Sequence, residues 1–212
     1  MKITSVDTIF VDRYLIVQVH TDAGITGIGE AGAWAFLEAC DGAIKKLSTY
    51  LIGKDPLLIE HHWNFMYRAA HFRGAVVMSA LSALDIALWD IAGKHYGVPV
   101  YKLLGGQVRD RARAYYHVFG DSKQKLVEGI VAAKNLGFTA VGHLTPFLDG
   151  QNDVAYRSTH VRKIGDAIDT VMAYRDAVGD EVDLCLEISR KLTPTEAVQL
   201  GRGIEKFHPF FY

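Results

Sequence analysis

Ser79-Ala80-Leu81-Ser82-Ala83-Leu84-Asp85-Ile86-Ala87-Leu88-Trp89-Asp90-Ile91-Ala92-Gly93-Lys94 is the stretch on which the fold turns. With Val76 and Val77 before it, its Leu81, Leu84, Leu88 and Ile91 recur at the 3.6-residue period and place apolar groups almost all round one helix. A helix of that kind must be buried, so the first half of the chain has to be built around it. Asp85 and Asp90 resemble catalytic carboxylates at first sight, but in this setting they read as structural groups that bind backbone or basic partners. They also interrupt the ~20 consecutive apolar residues that a membrane span requires. Gly97 fits the helix stop and Pro99 discourages continuation, while Leu103-Leu104-Gly105-Gly106 makes a tight exit toward a charged connector, 107–113.

Upstream of the helix the pattern is sheet. Residues 2–12 and 14–21 are rich in Ile, Val, Phe and Tyr, and Asp22-Ala23-Gly24 supplies a turn. Ile25-Thr26-Gly27-Ile28-Gly29-Glu30 then resumes an extended run whose glycines allow close backbone approach, completing a small antiparallel meander. Downstream, a domain boundary is placed near Asp110, and the rhythm becomes strand, helix, strand, helix. Strands are expected over 113–118, 138–144 and 182–188, with a fourth starting at Phe210-Phe211-Tyr212. The helices between them are read as one capped by Asp121 with Gln124 at the third position and Gly137 after its end, one over 161–178, and one opened by Thr193-Pro194-Thr195-Glu196. A long loop is expected over 145–159. Repeated strand-helix units with apolar strands require a parallel sheet covered by helices, and no glycine-rich phosphate fingerprint follows any strand, which removes support for a nucleotide-binding sheet.

Composition narrows the class further. Of 212 residues 50% are hydrophobic, and 23 basic against 24 acidic side chains leave a formal net charge of −1, which provides no positive field for a nucleic-acid backbone. Asp7 interrupts the apolar run of the N-terminus, which argues against a secretory signal. Cys40 and Cys185 are too few for a disulfide framework and lack metal-ligand spacing, so a reducing, cytoplasmic setting is expected.

Three separated motifs in one order carry a family resemblance: Gly24-Ile25-Thr26-Gly27-Ile28-Gly29-Glu30-Ala31, the 79–94 helix, and Pro99-Val100-Tyr101-Lys102-Leu103-Leu104-Gly105-Gly106. Together they resemble the enolase superfamily, in its mandelate racemase/muconate lactonizing enzyme branch, and especially the mannonate and galactonate (acid-sugar) dehydratase-like members. The resemblance implies an α/β plus α+β chain, with an enolase-like N-terminal capping domain over 1–110 and the first part of a (β/α) TIM-type barrel over 111–212. It also implies Mg²⁺ held by carboxylates at the ends of the third, fourth and fifth barrel strands. Abstraction of the proton alpha to a carboxylate, with the cation stabilising the enediolate, is the chemistry such sites perform. In barrels the site lies at the C-terminal strand ends.

Carried over residue by residue, the resemblance puts Glu187 at the first metal-ligand position, where relatives usually have aspartate. The extra methylene displaces the carboxylate by ~1.5 Å, which the ion tolerates only if the site adapts. Ser189 stands where related dehydratases place a histidine acid or an asparagine, and a hydroxyl is a poor proton donor near neutrality. Gly142 replaces the lysine or arginine of relatives. His143 is open to two readings: an imidazole that serves the site, or a structural or surface histidine that strand alternation directs away from position 142. His117 matches a substrate-contacting histidine. Trp34, in the first capping loop, either shapes the pocket or packs, and Arg73, beside His71 in the second, either clamps a carboxylate or sits on the surface.

A whole barrel takes ~250 residues. The portion after Asp110 is much shorter, so the expectation is a barrel truncated at its fourth strand, with the remaining metal carboxylates and any later base absent from this sequence. An unpaired strand edge in such a chain predicts self-association into a homo-oligomer. The implied function is that of a Mg²⁺-dependent lyase removing water from a small sugar acid, with racemisation or cycloisomerisation, or a non-catalytic binding or regulatory role, as alternatives.

Overall fold

The computed structural model describes residues 1–69, 71–148, 159–189 and 191–212. The chain divides into two compact units, Met1–Asp110 and Arg111–Tyr212.

In the first unit, β1 (Ile3–Val11), β2 (Tyr14–Thr21) and β3 (Thr26–Ala31) form an antiparallel sheet in chain order. Leu15, Val17 and Val19 of β2 are buried in alternation with more exposed neighbours, as a half-buried strand requires. Gly27 and Gly29 of β3 lie opposite Val19 and Val17. A Cβ at Gly27 would collide with the carbonyl oxygen of Ala87, and one at Gly29 with that of Ala83. The main chain of helix α3 (Ala75–Tyr96) therefore lies directly on the strand, an approach that only glycine permits. Leu81, Leu84, Leu88 and Ile91 of α3 are buried, and α1 (Leu37–Leu51) and α2 (Ile59–Arg68) pack against the same helix. By length and composition α3 could cross a membrane, but these burials make it the core helix of its unit.

The carboxylate of Asp90 accepts hydrogen bonds from the Ile28 amide (2.9 Å) and the Lys94 ammonium (2.7 Å), and Lys94 also donates to the Thr26 carbonyl (2.7 Å). Asp90 and Lys94 thus satisfy backbone groups of β3, which fits the structural reading of Asp90. Asp85 is partly buried, and burial raises its carboxyl above the usual range. Gly97 ends α3 in a left-handed conformation, its amide donating to the Gly93 and Lys94 carbonyls. A four-residue helix, α4 (Val100–Leu103), follows.

The second unit contains β4 (Tyr116–His117), α5 (Lys123–Asn135), β5 (Ala140–Leu144), α6 (His160–Val178), β6 (Asp183–Leu186) and α7 (Pro194–Ile204). The sheet order is β4-β5-β6, with every pair parallel, and Phe211 bridges Cys185 beyond β6. Consecutive parallel strands joined through helices are the arrangement of an incomplete (β/α) barrel.

The strands of this second sheet are shorter than their apolar runs suggest. The 113–118 run pairs only at 116–117, because Arg113 reaches the sheet by its side chain, bonding the Thr139 carbonyl (2.7 Å) and the Asp183 carboxylate (2.6 Å). The 138–144 run starts at Ala140, because the Phe138 amide closes α5 onto the Ala133 carbonyl. The 182–188 run regularly spans only 183–186, and the 210–212 run makes a single bridge. The α5 N-cap is Ser122 rather than Asp121: its hydroxyl accepts from the Lys125 amide, while Asp121 pairs with the Lys125 side chain at 2.9 Å. Gln124 consequently bonds Glu128 instead of closing a capping box. The box at Thr193 and Glu196 is formed. The expected 145–159 loop lies mostly outside the described residues, as does Arg190.

Candidate active site

The C-terminal ends of β4, β5 and β6 form one edge of the second sheet. His117 is the last residue of β4, His143 the penultimate residue of β5, and Glu187 and Ser189 follow β6 directly. The ladder continues past the strands, with the Val118 amide bonding the Gly142 carbonyl and the Glu187 amide bonding the Leu144 carbonyl, both at 2.9 Å. Four of the expected site residues therefore share one rim.

His117 and His143 stand ring to ring, with centroids 5.5 Å apart and planes 20° from parallel. Phe119 leans on His143 at 4.9 Å, and Tyr115 on His117 at 4.9 Å. The expected alternation at His143 fails here, and for a backbone reason: its φ is +61°, and the β5–β6 register shifts between Val141 and Leu144. A left-handed residue breaks the period of two, so the His143 ring stands against that of His117, the cross-strand partner of Gly142, although residues 142 and 143 are consecutive.

Gly142 pairs with His117 across the strands, and a Cβ there would collide with the Tyr115 ring and come within 3.2 Å of the Cys185 Cβ. Tyr115 thus occupies the space that a side chain at 142 would need. Neither Tyr115 nor Phe119 was anticipated as part of this rim. The available signal was the glycine itself, since a missing side chain in a packed sheet implies that a neighbour fills the gap.

The Ser189 hydroxyl donates to the Glu187 carboxylate in a short hydrogen bond. Ser189 adopts positive φ, which turns the chain back toward Glu187. The serine thus engages the carboxylate two residues before it. Two buried groups hold the loops on either side of this rim. Tyr174 donates its hydroxyl to the Thr145 carbonyl at 2.8 Å, burial having raised its phenol pKa. Lys163 donates to the Lys191 carbonyl (2.8 Å) and to Glu196 (3.0 Å). Glu196, bonded by the Thr193 amide and by Lys163, has its carboxyl held down to about 2.

Trp34 and Arg73 belong to the first unit. Trp34 is 57% exposed, with the Arg13 guanidinium 5.0 Å over its ring, so it is not a core aromatic. Arg73 donates to the Tyr67 carbonyl (2.9 Å) and lies 4.0 Å over the Tyr67 ring. Among the described residues no three His, Cys, Asp or Glu side chains are grouped to hold a metal ion. Glu187 offers one carboxylate, whereas Mg²⁺ takes near-octahedral oxygen coordination, so the described residues by themselves do not fit the ion.

Residues 2–105 match the mandelate racemase/muconate lactonizing enzyme N-terminal domain. The whole chain superposes on a solved enolase superfamily member from Salmonella Typhimurium with a TM-score of 0.88 and 34% identity, covering 99% of this chain and 60% of that one. The chain belongs to the enolase superfamily. A D-galactonate dehydratase of Xanthomonas oryzae pv. oryzae (strain PXO99A) is 38% identical over 100% of this chain and 54% of its own length, and one from Pectobacterium atrosepticum is 36% identical with the same coverage. An enolase from Pantoea ananatis, solved with bound D-gluconate and Mg, gives a TM-score of 0.86 at 27% identity, covering 99% of this chain and 59% of that one. This enolase-superfamily chain spans about half the length of the curated relatives it matches.

Proposed function

We propose that this chain is part of an acid-sugar dehydratase, a lyase that removes water from a small polyhydroxy carboxylate after abstraction of the proton alpha to the carboxylate. The observation that carries this reading is the end-to-end match of the chain to D-galactonate dehydratases. The rim at the C-terminal ends of β4, β5 and β6 supports it, because barrel chemistry is performed at that edge. Trp34, Arg73 and His117 are assigned to substrate contact. Glu187 is assigned one oxygen of a divalent-cation site that the described residues do not complete. His143 is assigned a polar role at the rim. Ser189, whose hydroxyl is committed to Glu187, is assigned to orienting that carboxylate rather than to proton donation.

Cys40 and Cys185 are free and buried, which accords with a reducing cytoplasmic setting, and a homo-oligomer is the proposed assembly. Two features favour a second reading, a binding protein without turnover: Tyr115 fills the place of a cation at 142, and Ser189 stands in place of an acid. Incubating the intact protein with a sugar-acid panel, with and without Mg²⁺, separates the two. Mg²⁺-dependent appearance of a keto-deoxy acid is the expected result. Binding without turnover establishes the second reading.

A further inference from the structure

We infer that the outward stripe of helix α2 is an interface between two copies of this chain, packed antiparallel about a twofold axis at Asn64, with Glu60 of each copy facing Arg68 of the other. The inference rests on the homo-oligomer proposed above and specifies the face that forms it. Helix α2 has two distinct sides. Ile59, His62 and Met66 are buried, with α2 packing on α3, while His61, Phe65 and Arg68, at the i, i+4, i+7 spacing of one helix side, are exposed.

Phe65, 47% exposed, is not a loose surface side chain. Its ring stacks on Tyr50 with centroids 3.7 Å apart and planes 12° from parallel, and the Tyr50 hydroxyl lies 3.0 Å from His62 Nδ1. His62 is itself held by the Asp55 carbonyl at 2.8 Å. The exposed ring is thereby fixed before any partner arrives, so little side-chain freedom is lost on association. Beside it lies an open, mainly apolar groove of about 320 Å³, lined by His61, Asn64, Phe65, Arg68 and Ala69. A knob and a hole side by side on one surface suit a twofold contact, in which each copy offers its ring to the groove of the other. Charge selects the orientation. Glu60 lies in the first turn of α2 and Arg68 in the last, and among the described residues neither side chain has a hydrogen bond or an ion pair. Antiparallel packing brings each Glu60 to the partner's Arg68 and forms two ion pairs, whereas parallel packing sets like charges together.

Sedimentation velocity of the intact protein over a concentration series tests this, using the parent and the variants Arg68→Glu and Glu60→Arg. The parent is expected to be a dimer or an even-numbered multiple of the chain. Each single variant sets like charges face to face across the axis, and its association is expected to weaken at least tenfold. Both altered side chains are exposed, so a fold change is not expected to intervene. Mixed in equal amounts, the two variants restore both ion pairs between unlike copies, and parent-like association is expected to return. A parent that stays monomeric overturns the inference and the homo-oligomer proposal together, and leaves the dehydratase reading to its own turnover assay. A parent that associates while both single variants match it, or variants whose mixture does not recover, overturns this interface and leaves the homo-oligomer standing.

Discussion

Glycine is used in strands of both units of this molecule, and the two uses differ in kind. Gly27 and Gly29 make room for backbone, the Ala87 and Ala83 carbonyls of α3. Gly142 makes room for a side chain, the ring of Tyr115. A helix main chain cannot step aside without unpacking the sheet, whereas a tyrosine that is 42% exposed can rotate away. The first arrangement is a rigid joint. The second leaves the rim adjustable, and the candidate chemistry lies there.

Substitutions can break this contrast. Gly29→Ala forces a methyl group into the Ala83 carbonyl and is expected to destabilise the N-terminal unit by about 3 kcal/mol, seen as a lower urea midpoint, because overpacking against backbone has no cheap relaxation. Next in size, Glu196→Ala removes half of a capping box and one of the partners of the nearly buried Lys163, and should cost the C-terminal unit about 2 kcal/mol in the same measurement. Gly142→Ala should cost only about 1 kcal/mol, since Tyr115 is able to move. Combined with Tyr115→Ala the loss should be less than additive, and strict additivity in that double-mutant cycle would mean that the ring is not what fills the space.

The smallest effect sharpens the comparison by pH. In the first unit, His62 is buried, bonded to the Asp55 carbonyl (2.8 Å) and to the Tyr50 hydroxyl (3.0 Å), and burial lowers its pKa below the usual 6.5. Below pH 6.5 the unfolded chain binds the proton more readily than the folded one, so this unit should lose stability as pH falls from there. In the second unit the Glu196 carboxyl is lowered from 4.5 to about 2, so its contribution is full above pH 4.5 and is lost as pH falls toward 2. Following each unit's unfolding across pH should separate the two windows, and His62→Asn should abolish the upper one.

Much of the scaffold was legible from residue patterns. The all-round apolar helix, the Gly97 stop, the turn at Asp22-Ala23-Gly24 and the Thr193 capping box follow from local chemistry, and each is present. Strand lengths were less legible, because an apolar run does not reveal which of its amides are used elsewhere: Phe138 closes a helix, and Arg113 reaches the sheet through its guanidinium. The N-cap moved from Asp121 to Ser122 because Lys125 competes for the aspartate. At the rim, the residue types at 117, 143, 187 and 189 could be identified as polar candidates. Their pairings could not.

The sequence alone determined that a buried helix would organise the first half, that strand-helix units would follow, and that the polar candidates would fall at strand ends, since periodicity, capping and turn chemistry act over a few neighbouring residues. Only the tertiary structure decided that Tyr115 fills the gap at Gly142, that His143 turns to stand beside His117, and that Ser189 bonds Glu187. The first two depend on which strands become neighbours and in what register, and the third on a backbone turn at Ser189, and side-chain alternation carries none of that information once a left-handed residue interrupts it.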